Sequence, residues 1–92
     1  MGGVDRFRPA SPALYAPDAD ELRGWLACSD QDALDLGKVR RLLGRMRDGR
    51  WFADRNRPVI HEHGRLFDGH HRVLAALLYG GPVEMWVEDR GR

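Results

Sequence analysis

The stretch that most constrains this chain is Leu66-Phe67-Asp68-Gly69-His70-His71-Arg72-Val73-Leu74-Ala75-Ala76-Leu77-Leu78-Tyr79-Gly80-Gly81. It reads as the end of a strand, a tight polar turn and a short apolar helix, stopped by Gly80-Gly81-Pro82. Gly69 carries no Cβ, so the backbone can turn sharply there and come close to a ligand. The first N–H groups of the following helix lack intrahelical acceptors, and the helix dipole favours an anion beside them. Arg72 adds a guanidinium fork suited to phosphate or carboxylate, and is expected to be exposed. Asp68, Gly69, His70, His71 and Arg72 together therefore predict an anion cradle. The competing reading is a plain turn in which Asp68 caps the helix and both histidines face solvent.

Around this stretch the chain reads as a small single-domain α/β (α+β) fold, a short mixed sheet with flanking helices. Residues 1–17 hold Pro9, Pro12 and Pro17 and predict an irregular N-terminal arm, pinned to the body by Tyr15 or Phe7. Residues 18–88 form the domain, and 89–92 a loose tail. Asp18-Ala19-Asp20-Glu21 puts acids at a helix start, and Leu22, Trp25 and Leu26 share one face of that helix. Cys28-Ser29-Asp30 ends it. Asp35 can cap a second helix, in which Val39, Leu42, Leu43 and Met46 form a regular apolar stripe and Gly49 supplies the left-handed stop. Trp51 and Phe52 are expected to fold back on the core, a role weighed for Trp51 against stacking on a nucleobase. Pro58 opens a strand, Val59-Ile60-His61-Glu62; His63-Gly64 turns it, and Arg65-Leu66-Phe67 returns. Val83, Met85 and Val87 alternate with polar neighbours in a last, half-buried strand.

A length of 92 residues allows one small core. No apolar run approaches the ~20 residues of a membrane span, and Met1-Gly2-Gly3-Val4-Asp5-Arg6 lacks the apolar stretch of a signal peptide. Cys28 is the one cysteine, which fits a reducing, cytoplasmic setting. Net charge is +1, but it is unevenly distributed: Asp18 to Asp35 holds six acids against Arg23, while Lys38 to Arg57 holds eight bases against Asp48 and Asp54. Lys38, Arg41, Arg45 and Arg50 are thus candidates for a nucleic-acid face on the second helix, against the plainer reading of a solvated surface. His61 and His63, with His70 and His71, offer imidazoles, yet no compact ligand pair exists and no metal site is expected. Kinase chemistry would need a general base, for which Glu62, Asp35 and Asp32 qualify by type only. No carboxylate cluster of the kind a nuclease needs is visible. Lys38 is the sole lysine among many arginines, a bias of GC-rich coding DNA such as that of actinobacteria and their phages.

The turn and its surroundings resemble the ParB/sulfiredoxin-like superfamily, whose members share a helix, a strand pair, a G-x-x-R or G-C-H-R turn, a helix and a strand. The likeness covers roughly Leu34 to Val87. Leu34-Asp35-Leu36-Gly37-Lys38-Val39 looks like the family's lead helix and Arg57-Pro58-Val59-Ile60 like its first sheet strand. Asp68-Gly69-His70-His71-Arg72 is similar to turns of phage ParB-like proteins and of archaeal free-serine kinases. The resemblance implies a nucleotide (ATP, ADP or CTP, with Mg) held by the Gly69 and His70 amides, His71 and Arg72, with Asp68 holding the turn or meeting the metal ion. It implies a regulatory module of a phage or mobile element, with DNA or a protein as possible partner and no membrane. Alternatives are a DNA-associated protein using Lys38–Arg50 and a minimal phosphotransferase. His70 stands where sulfiredoxin has its catalytic cysteine, so sulfinic-acid repair is not expected. Five residues follow Val87 here, so the DNA-binding and dimerisation domains of ParB partition proteins are not expected from this sequence. The large further domain of the serine kinases is not expected either.

Overall fold

The computed structural model describes residues 12–29 and 34–90. Their order is β1 (Ala13–Tyr15), α1 (Ala19–Ala27), α2 (Leu36–Arg47), a 3₁₀ turn (Ala53–Arg55), β2 (Val59–Glu62), β3 (Arg65–Asp68), α3 (His70–Tyr79) and β4 (Met85–Asp89). The four strands form one mixed sheet in the order β1-β4-β2-β3. β1 pairs antiparallel with β4, β4 parallel with β2, and β2 antiparallel with β3. This is the α+β class expected from the sequence.

Local chemistry accounts for the elements. The Asp18 carboxylate accepts the Glu21 N–H at 2.8 Å to start α1, and Asp35 accepts the Lys38 N–H at 3.2 Å to start α2. His63 and Gly64 both sit at positive φ, 52° and 85°, the geometry of a two-residue hairpin turn between β2 and β3. The core lies between the helices and one sheet face: Leu22 and Trp25 of α1, Val39, Leu42 and Met46 of α2, and Val73, Ala75 and Ala76 of α3 close over the strands. Val59, Leu66, Met85 and Val87 supply the strand side. α3 packs against α1 and α2, and the bond from the Asp35 N–H to His71 sets its first turn beside the start of α2.

Three expectations need correction. Residues 1–17 do not form a purely irregular arm, because Ala13–Tyr15 adds an edge strand, with Tyr15 opposite Met85. Tyr15 does pin this segment: its hydroxyl donates to Glu21 at 3.1 Å. Phe7, Asp30 and Asp32 lie outside the described residues. Trp51 packs on the core and donates its indole N–H to the Glu84 carbonyl at 2.7 Å, but Phe52 turns outward and is 50% exposed. The tail begins later than position 89, since Asp89 ends β4 and the Arg90 N–H bonds to the His61 carbonyl at 2.8 Å.

Candidate functional site

Asp68 ends β3, and Gly69 then takes φ 103° and ψ 17°, a left-handed conformation that opens α3. Glycine is required here on two counts. A side chain at this φ is strained, and a Cβ would lie 2.8 Å from Val59 Cγ2 and 3.3 Å from Val59 Cα. The close approach anticipated at Gly69 is thus to the protein's own strand β2. The first helical bond runs from the Val73 N–H to the Gly69 carbonyl at 2.9 Å. Unlike in α1 and α2, the N-cap residue of α3, Gly69, has no side chain with which to cap it. Asp68 is not the cap that the plainer reading assigned to it.

Arg72 departs from expectation as well. Its side chain is 12% exposed rather than free in solvent. Its Nη2 lies 3.9 Å from the Asp68 carboxylate, beyond hydrogen-bond range. Burial pushes the guanidinium pKa down; Asp68 raises it, and neighbouring Arg57 lowers it further. An anion between Arg72 and Arg57 would offset both the desolvation and the repulsion.

The two histidines differ in use. His71 Nε2 accepts the Asp35 N–H at 3.0 Å, so that ring nitrogen ties the turn to the start of α2. His71 is left to offer a ligand its backbone N–H rather than that nitrogen. His70 is half-buried, and both histidines line the cleft described next.

The turn opens into a cleft of about 450 Å³. Among the described residues five cationic ones line it: Lys38 and Arg45 from α2, Arg55 and Arg57 from the segment before β2, and Arg72. Among the described residues Asp68 is the single carboxylate in that lining, and Leu42 adds apolar surface. The structure therefore joins the two sets of residues that the sequence suggested separately, the turn and part of the basic helix. Arg41 is not in the lining; its Nη1 lies near Gly37, 3.8 Å from where a Cβ there would stand. Arg50 belongs to a neighbouring cleft.

Arg55, Asn56 and Arg57 are cleft residues that sequence reasoning missed. The signal was present in the hairpin. Antiparallel pairing sets Ile60 opposite Asp68, so residues just before Val59 must lie beside residues just after Asp68.

Other candidates fall away from this cleft. His61 stacks on Trp25 with ring centroids 4.9 Å apart and accepts the Gly64 N–H at 3.1 Å. Among the described residues no three His, Cys, Asp or Glu side chains converge as metal ligands. Glu62 is exposed at the hairpin end, the Asp35 carboxylate serves as a helix cap, and Cys28 is exposed at the end of α1. No helix among the described residues is long and apolar enough to cross a membrane. No family model, curated protein or solved structure matches the chain.

Proposed function

We propose that this domain is a ParB/sulfiredoxin-like module that binds a nucleotide or another phosphate-bearing ligand at Asp68–Arg72. In this reading it serves as a regulatory protein of a phage or mobile element. The observation that carries the binding reading is the cleft itself. Among the described residues Lys38, Arg45, Arg55, Arg57 and Arg72 converge on it at the start of α3, with Asp68 the one carboxylate between them. Such a gathering of like charges is costly without an anion, because like charges repel. The amides of Gly69 to Arg72 hold the phosphate, Arg72 and Arg57 neutralise it, and Asp68 meets a magnesium ion accompanying a polyphosphate. The D-G-H-H-R turn and the element order around it support the family reading.

Lys38 and Arg45 in the same cleft favour a second reading, in which a DNA backbone phosphate occupies the turn. A minimal phosphotransferase is the third. One screen separates them: thermal unfolding with ATP, ADP, CTP, GTP or short duplex DNA. A polyphosphate nucleotide at one hundred times its Kd stabilises by about 2.7 kcal/mol, which raises the midpoint of a domain this size by roughly 10 °C or more. Stabilisation by duplex DNA alone would favour the second reading, and nucleotide turnover the third. A midpoint unmoved by every ligand would refute the phosphate reading.

A further inference from the structure

A second cleft, of about 430 Å³, adjoins the first and is lined by Arg45, Arg50, Phe52, Arg55 and Asn56. Arg45, Arg55 and Asn56 line both clefts, so the two lie side by side along the same cationic surface. Among the described residues no carboxylate lines the second cleft. Along α2 the residues Lys38 and Arg45 are seven apart, on one helix face, and so about 10 Å apart along the axis. That spacing exceeds what one phosphate group needs.

Phe52 is the feature a phosphate site alone does not explain. Its backbone is extended, with φ −127° and ψ 112°, so consecutive side chains point opposite ways: Trp51 packs on the core and Phe52 stands outward, half exposed. The 3₁₀ turn holds it there. Arg55 N–H and Asn56 Nδ2 donate to the Phe52 carbonyl at 3.0 and 2.8 Å. The Arg55 guanidinium carbon lies 4.9 Å from the centre of the phenyl ring. A phenyl ring and a guanidinium are therefore presented together on this cationic surface. Flat π surfaces next to spaced cations suit a polymer that has a planar group and a phosphate in every unit. A duplex hides its base faces in its own stack, and an acidic peptide has no need of a stacking surface.

We propose that the surface from the Gly69–Arg72 turn past Arg45 to Phe52 binds single-stranded nucleic acid, one base stacking on the Phe52–Arg55 pair. Its phosphates run along Lys38, Arg45 and Arg57. This rests on the phosphate reading of the turn, and it assigns Phe52 and Arg55 a role that reading does not use.

The test measures binding of a fluorescent oligo-dT strand, a duplex of equal length, and inorganic tripolyphosphate, which has no base. The single strand should bind at least tenfold more tightly than the duplex. Phe52→Ala should weaken strand binding about ten- to hundredfold while leaving its salt slope and the tripolyphosphate affinity unchanged. Phe52→Tyr should restore it. Arg55→Ala should weaken strand binding and reduce the magnitude of the salt slope by about 0.7. Strand binding indifferent to Phe52→Ala, or a duplex bound as tightly, would overturn the proposal. A Phe52→Ala variant that loses tripolyphosphate equally would also overturn it, by showing a structural role. Phe52-dependent strand binding with no affinity for tripolyphosphate would support the platform and refute the turn as a phosphate site. Absence of all binding would refute both.

Discussion

Arg72 is held in a position that a surface arginine would not choose. Its side chain is largely buried, its nearest approach to the Asp68 carboxylate is 3.9 Å, and Arg57 repels it. Removing that charge while keeping the alkyl stem should therefore cost little, because a loosely paired buried cation contributes weakly to stability. Arg72→Met is expected to unfold at the wild-type urea concentration or above, yet to bind phosphate ligands ten- to hundredfold more weakly. Arg72→Ala loses packing as well and should be less stable than Arg72→Met. An exposed Arg72 would have made the two variants equal. Gly69→Val should lose roughly 2 kcal/mol or more, since it forces a branched side chain into a left-handed φ and against Val59. Denaturant unfolding of the three variants checks these expectations together.

At the level of the elements, α2 is divided. Lys38 and Arg45 line the cleft, whereas Arg41 turns back toward Gly37. Arg45→Glu should then weaken anion binding tenfold or more, and Arg41→Glu should change it little; titration calorimetry of both variants with tripolyphosphate decides this. The helix itself was legible in the sequence, because Asp35 as cap and the stripe Val39-Leu42-Met46 are local signals. Which arginines converge was not legible, because it depends on where α3 and the segment before β2 dock. β1 was missed for a related reason. Ala13-Leu14-Tyr15 sits between prolines with no periodicity of its own and becomes a strand only by pairing with β4. Tyr15 gives that strand a pH signature. Burial and the Glu21 carboxylate push its pKa above the ordinary value of 10.0. A raised folded-state pKa means its contribution is complete below pH 10 and is lost as pH rises through the folded value. Tyr15→Phe should be less stable than wild type at neutral pH by about 0.5–1.5 kcal/mol, through its lost hydrogen bond. By about pH 11 that gap should narrow, because only the wild type gains an ionising tyrosine on unfolding.

On the scale of the whole molecule, a near-zero net charge conceals a strongly polarised chain. The acidic segment and the basic segment were visible in the sequence, but only the fold brings Lys38, Arg45, Arg55, Arg57 and Arg72 around one helix start. The turn itself was legible, because Gly69 between a short strand and an apolar helix marks a strand-to-helix junction. The bond from Asp35 to His71 was not, since those residues lie 36 apart in the chain. That bond, the pairing of β2 with β3 and the packing of α3 on α2 together fix the shape of the cleft. On the proposed phosphate reading such a preformed cleft lowers the ordering cost, so few residues should shift on binding. The measurement that tests the central claim most directly is an amide-resolved NMR titration with tripolyphosphate. The account predicts the largest shifts at the Gly69, His70, His71 and Arg72 amides, saturating together, with α1 and β1 unmoved. Shifts scattered over the exposed arginines, with these four amides silent, would contradict it.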